Sequence, residues 1–220
     1  MILTGTSHVK RRATVMTKPK TDAASAAKRG RRPGSARDRV FTTASELFYR
    51  KGIRAVGVET IAAEANTTKM SLYRNFPSKD DLVAEWLREH GARFWQTWEA
   101  MASRNPNQPR KQLKAAFALL SRHVADPKAR GCPMANAAVE ITEKDHPARK
   151  VIETHKARLR ARLAELCAQI GAKDARLLAD HLFLLMEGAQ VSAQTPGARL
   201  PALNVARAAN ALIDAHLPAH

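Results

Sequence analysis

Cysteine is nearly absent from this chain: Cys132 and Cys167 stand alone, with no CxxC spacing. That excludes a disulfide scaffold and a thiolate metal site, and it suits a reducing compartment. Aromatic residues are scarce at 5%. No stretch of useful length alternates apolar and polar residues, while Ala and Leu abound, so helices are favoured over sheets. No window approaches the roughly 20 apolar residues of a membrane span, and no apolar run of leader length opens the chain. A cytoplasmic protein with no membrane partner is expected. HExxH, P-loop, GxSxG and GxGxxG patterns are all missing and the eight histidines are scattered, so the sequence offers no metal site, no cofactor and no enzymatic machinery. Acidic residues are short as well, with 20 Asp and Glu facing 37 Lys and Arg, a net charge of +17. So basic a surface attracts nucleic acid or anionic membrane.

The excess is uneven. Residues 1–80 carry 17 Lys and Arg against 6 Asp and Glu. Residues 1–34 hold little but Lys, Arg, Thr, Ala, Ser, Gly and Pro, and read as a disordered basic arm. Both Met1 and Met16 are possible starts. The cluster KRGRRPG at Lys28–Gly34 is either a minor-groove clamp or a solvated tail.

From Ser35 the pattern becomes helical. Val40, Ala44, Leu47 and Phe48 recur at i, i+4, i+7 and i+8, with Ser35 as N-cap and Gly52 at the C-terminus. A short helix from about Val58 to Ala65 buries Val58, Ile61, Ala62 and Ala65, and another occupies TTKMSLYRNF, residues 67–76, before Pro77. Ser78 caps a long fourth helix with Asp80 and Asp81 in its first turn. Further helices are expected over 110–125, Met134–Glu143, Pro147–Ile170, Lys173–Gln194 and Pro201–His216. The fold class is all-α with about nine helices. It divides into the arm (1–34), a helix-turn-helix head (35–80) and a larger helical domain (81–220).

The third helix is too short to be stable by itself. With Leu72 inward, a step of about 100° per residue puts Phe76 beside it and Met70 and Arg74 opposite, flanked by Ser71 and Tyr73. A helix of this kind fits a major groove. Arg74 matches the acceptors of guanine and Met70 a thymine methyl, while Lys69, Ser71 and Tyr73 suit phosphate oxygens.

TIAAEANTTKMSLYRNFPSKDDL, residues 60–82, resembles the DNA-binding signature of the TetR family of bacterial transcription regulators. Ile61, Ala62, Ala65, Thr68, Leu72, Tyr73, Phe76, Lys79 and Leu82 carry the likeness, which extends over about residues 36–83. It departs from the family at Asn66 in place of Gly, Thr67 in place of Val, and Met70 in place of a small residue. Asn tolerates the left-handed turn; Met70 bears on base preference. The resemblance implies that Thr60, starting the second helix, bonds a phosphate, that Thr68 caps the third helix, that Lys69, Ser71 and Tyr73 hold the DNA backbone, that Arg74 contacts backbone or base, and that Lys79 adds a phosphate contact. It also implies an all-helical body that dimerises and often holds a small molecule.

Two features of the body's own sequence bear on that. LLADHLFLLMEGAQVSA, residues 177–193, is apolar almost all round, as in a helix with two buried faces. One face serves its own core; the other suits either a second subunit or the centre of a monomer. As an interface it would comprise Leu185, Gly188, Ala189 and Ser192, with Ala209, Leu212 and Ile213 from the last helix. The aromatics Phe94, Trp95 and Trp98 crowd one helix and, with Phe117, Met134, Asn136 and Glu140, form either an effector pocket or ordinary core. Cys132 reads as structural rather than a redox switch, and His123, His155 and His181 as core or boundary residues. The leading expectation is a homodimeric repressor released from a palindromic operator in double-stranded DNA by an unknown small-molecule effector. The alternative is an effector-independent DNA-binding adaptor or DNA-organising protein with the same head.

Overall fold

The computed structural model describes residues 34–195 and 199–218; the basic arm, the two possible starts and residues 28–33 of the Arg cluster lie outside them. Every regular element among the described residues is a helix. They are α1 (Ala36–Lys51), α2 (Val58–Glu64), α3 (Lys69–Asn75), α4 (Lys79–Ala102), α5 (Pro109–Ala125), α6 (Pro133–Glu140), α7 (Pro147–Gln169), α8 (Ala175–Ser192), α9 (Arg199–Leu203) and α10 (Val205–His216). The helix anticipated over Pro201–His216 is divided at Asn204 into α9 and α10. The helix anticipated up to Glu143 stops at Glu140. None of these helices is long and apolar enough to cross a membrane.

Local chemistry sets the boundaries. Ser35 and Asp38 form a reciprocal capping box at α1, and Ser78 accepts from the Asp81 amide at the start of α4. Asp174 does the same for Leu177 at α8. Pro109, Pro133 and Pro147 each occupy the first position of a helix, where a missing N–H costs nothing.

The core falls into two clusters. The first joins Val40, Leu47, Phe48, Ile61, Leu72 and Phe76 of the α1–α3 region to Leu82, Trp86 and Leu87 at the start of α4, and to Met134, Ala137 and Ile141 around α6. The second gathers Trp95, Phe117, Leu163, Leu178, Leu182, Val205 and Ile213 from α4, α5, α7, α8 and α10. Helices α7 and α8 share the most extensive packing. Fully buried side chains such as Phe117, Leu163 and Leu182 each represent roughly 2–5 kcal/mol on truncation to Ala.

Several expected site residues are core instead. Phe117 and Met134 are wholly buried and Trp95 is 8% exposed, with the Arg158 guanidinium 3.9 Å above its ring. Ala189, Ala209 and Ile213 belong to the second cluster, so they face the chain's own core. The face of α8 that is left open carries Leu177 (47% exposed), Leu184 (64%) and Val191 (56%), together with Gly188. These recur at a spacing that forms one stripe.

Candidate nucleic-acid interface and ligand cleft

The turn between α2 and α3 is made by Asn66, whose φ of 49° is left-handed, a region Asn enters more readily than most side chains. Thr68 follows in extended conformation, and its hydroxyl accepts from the Ser71 amide at 3.1 Å. Leu72 and Phe76 point into the first core cluster, anchoring a seven-residue helix that has no independent stability. Phe41 stacks on Phe76 with centroids 6.4 Å apart, and the Arg37 guanidinium lies 4.8 Å from the Phe76 ring.

Most of the rest of α3 is open to solvent. Met70 is 72% exposed and Tyr73 41%, Lys69 and Arg74 are exposed, and Ser71 is half-buried. Lys69 donates to Glu59 of α2 at 2.5 Å. This bond raises the Lys69 pKa and lowers that of Glu59. The pair is open to water and easily exchanged for a phosphate. Thr60 is exposed but is the third residue of α2 rather than its first, since the helix begins at Val58. Lys79 is half-buried and its ammonium donates to the Ile53 carbonyl at 2.7 Å. It thereby fastens α4 to the α1–α2 link, and a phosphate would be met by its remaining N–H groups.

Deeper in the body is a cleft of about 430 Å³ bounded by α4, α5, α7, α8 and the loop before α6. Phe94 and Trp98 line it; of the other residues expected there, Trp95, Phe117 and Met134 are core, and Asn136 and Glu140 lie nearer the head. Leu119, Leu120, Leu159 and Met186 complete the apolar wall. The polar lining is His90, Arg93, Thr97, His123, His155, Lys156, Glu187 and Gln190, none of which the sequence marked as a pocket residue. His123 and His155, read there as core or boundary residues, belong to this wall. Their signal was a polar residue interrupting an apolar helical stripe, as His155 does between Ile152 and Leu159.

Burial first, and then the positive charge around them, lower both His90 and His155 to about 4, so both rings are neutral at neutral pH. The Phe94 ring meets His155 edge-on at 5.0 Å. Lys156 donates to both oxygens of Glu187 at 2.5 Å. Trp98 Nε1 is buried without an acceptor. A wider groove of about 770 Å³ lies between the start of α5 and the ends of α7 and α10, but no buried polar group without a partner lines it.

The cleft and the head share a joint. Gly131 and Cys132 line the cleft. The Arg130 amide beside them donates to the Tyr49 hydroxyl of α1 at 2.8 Å, and the Arg130 guanidinium to the carbonyl of Arg50. Asn136 Nδ2 donates to the Arg130 carbonyl at 2.7 Å. Glu140 accepts from the Arg54 amide at 2.9 Å, just past Gly52, whose φ of 91° excludes most side chains. Asn136 therefore binds the loop before α6 and Glu140 the link between α1 and α2, instead of lining the cleft with Phe94 and Trp98. Replacing Glu140 by Ala is expected to speed amide hydrogen exchange at Arg54 about tenfold, the scale of one charge-assisted hydrogen bond. Unchanged exchange there would mean that Glu140 does not hold the link.

Residues 40–86 match the family described as "Bacterial regulatory proteins, tetR family", and residues 109–208 match "Transcriptional regulator LmrA/YxaF-like, C-terminal domain". A TetR-family transcriptional regulator from Streptomyces coelicolor is 28% identical with a TM-score of 0.78, over 83% of this chain and 96% of that one. A Streptomyces avermitilis protein classed with the TetR regulators is 31% identical with a TM-score of 0.71, over 83% and 98%. An uncharacterized HTH-type transcriptional regulator in the lacX 3' region of Lactococcus lactis is 26% identical over 132 residues, which is 59% of this chain and 66% of that protein.

Proposed function

Because this chain belongs to the TetR family of bacterial DNA-binding transcriptional regulators, we propose that it acts as a homodimeric repressor released from a palindromic operator by a small molecule. The observation that carries this reading is the division of α3: Leu72 and Phe76 are buried while Met70, Tyr73 and Arg74 face solvent. Arg74 and Met70 read base edges. Thr60, Lys69, Ser71, Tyr73 and Lys79 hold the backbone, and the Thr68 cap sets the start of the helix.

Two copies pair through the open stripe of α8, where Leu177, Leu184, Gly188 and Val191 are joined by Leu185, Ser192 and the half-buried Leu212 of α10. A twofold arrangement sets two α3 helices against half-sites one DNA turn apart, roughly 34–36 Å. An occupant of the cleft touches the loop before α6, which grips Tyr49 and Arg50. A ligand that favours one position of this loop biases the separation of the heads, and it releases DNA only through a difference in affinity between the two states. The cleft and the unpartnered indole favour this reading over an effector-independent adaptor with a filled core.

Selection of binding sites from random DNA tests it: an inverted repeat is expected, and a single unpaired half-site would overturn the dimeric mode. Arg74→Ala or Met70→Ala should change the preferred base at a few positions, whereas an identical motif would remove them from direct readout. Lys69→Ala should lower affinity for all sequences alike and reduce the salt slope by about 0.9 for each phosphate the side chain no longer neutralises. An unchanged slope would sink the phosphate assignment.

A further inference from the structure

We propose that the cleft between α4, α5, α7 and α8 is built for an apolar molecule bearing one negatively charged group. This rests on the ligand-responsive reading above and deepens it. The walls set the body of the ligand. Phe94, Trp98, Leu119, Leu120, Leu159 and Met186 form the apolar part of a cleft of about 430 Å³, within the range of roughly 300–1,000 Å³ typical of small-molecule sites.

The polar lining sets the head group. Its charged members are Arg93 of α4, Lys156 of α7 and Glu187 of α8. Lys156 and Glu187 neutralise each other at 2.5 Å, which leaves the Arg93 cation as the uncompensated charge of the wall. Arg93 also approaches Glu89 at 3.6 Å, but both side chains are about half exposed, and water screens that contact. The remaining titratable groups are the imidazoles of His90, His123 and His155 and the thiol of Cys132. Burial pushes the thiol up, so it supplies no negative charge.

The two cations beside His90, Arg93 and Lys156, both oppose its protonation. Lys156 and Arg158 do the same at His155. A positive field in a cleft whose only carboxylate is paired attracts an anion and repels a cation. Trp98 adds an independent sign. The residue lines the cleft, its side chain is 95% buried, at 5% exposure, and its Nε1–H has no acceptor. A buried donor left unpaired is costly, so a ligand acceptor that reaches it after a small shift of the indole is favoured. The aromatic faces of Phe94 and Trp98 can also take a cation, but a cation would have to draw Glu187 away from Lys156.

An anion bound here would favour protonation of a neighbouring imidazole. The complex then holds more protons than the free protein, so affinity rises as pH falls. The test uses matched probes on two scaffolds: 2-naphthoate, 2-naphthalenemethanol and 2-naphthylmethylammonium, and octanoate, octanol and octylammonium. Each is titrated into the full chain by calorimetry, with DNA absent. The carboxylates are expected to bind about tenfold tighter than the alcohols, the scale of one charge-assisted hydrogen bond, and the ammonium compounds more weakly than either. Lowering the pH from 7.5 to 5.5 should tighten carboxylate binding several-fold, with proton uptake visible in buffers of different ionisation enthalpy, and leave the alcohols unchanged. Arg93→Met should erase much of the carboxylate advantage while sparing the alcohols. Alcohols or ammonium compounds binding as tightly as carboxylates would overturn the anionic head group and leave the cleft a ligand site. Absence of binding by all six probes would overturn both.

Discussion

Leu184→Glu is expected to turn the protein into a monomer and to lower its affinity for a two-half-site operator by about a thousandfold. The size of the effect comes from linkage of two heads: once one α3 is docked, the second binds at a high effective concentration, an advantage of roughly 10²–10⁴ that vanishes when the subunits part. The position follows from burial. Leu184 is 64% exposed, so a carboxylate there costs the isolated subunit little, but in a paired α8 surface two like charges would face each other across the twofold axis. Light scattering gives the mass and circular dichroism the helix content. A folded monomer with weak, single-site DNA binding is the expected outcome; an intact dimer would place the interface on another face. Ala189→Glu makes the contrasting control. Ala189 is 6% exposed and sits in the second core cluster, so a charge there should lower stability, and dimer loss in that variant would say nothing about the interface.

Lowering the pH from 6.5 to 4 is expected to remove stability held by His90 and His155. Both pKa values fall from an ordinary 6.5 to about 4 on folding. Between those values the unfolded chain binds protons that the folded chain refuses, so stability falls as pH falls. The contribution is complete above about pH 6.5, is lost progressively on the way to 4, and has no further slope below. For partly accessible rings that influence each other, about 2 kcal/mol apiece is a fair magnitude. The groups that face them are Arg93 on α4, His123 on α5, Lys156 and Arg158 on α7 and Glu187 on α8. Urea unfolding at pH 7.5, 5.5 and 4.5 measures the loss. His90→Gln with His155→Gln should flatten the profile relative to the parent, since the carboxylates common to both then account for the remainder. Equal slopes would mean that the imidazoles are not held neutral.

What could be read in advance divides along the range of the interactions. Near Asn66, Thr68, Leu72 and Phe76, each residue acts within one turn of its neighbours, so the inward face follows from spacing, and the Thr68 cap and the Asn66 turn from the resemblance to the TetR signature. The cleft has no such local code. His90, His123, His155 and Glu187 come from four helices and meet only after the body has packed, and each looks like an ordinary surface or stripe residue in its own segment. The phase of α8 was hidden for another reason. A helix apolar on both faces gives two equivalent choices of inner side, and the pattern places Ala189 as readily outside as in. Only the packing against α7 and α10 selects Leu184 and Val191 for the open face. Asn136 and Glu140 illustrate a third limit: their neighbours Arg130 and Arg54 lie 6 and 86 residues away, and the longer of these separations leaves no periodic trace.

The continuity of the first core cluster across α4 and α6 bears on how this protein could be re-engineered. Leu72 and Phe76 share their cluster with Trp86 and Leu87, and also with Met134, Ala137 and Ile141. A fragment cut after α3 would leave that surface uncovered. A DNA-reading module transplanted onto another regulator's body would therefore have to bring the first half of α4 with it, and would still need a host α6 whose side chains fit Phe48 and Trp86. Exchange of specificity is better sought in the solvent-facing residues of α3 alone, leaving the seam beneath them untouched.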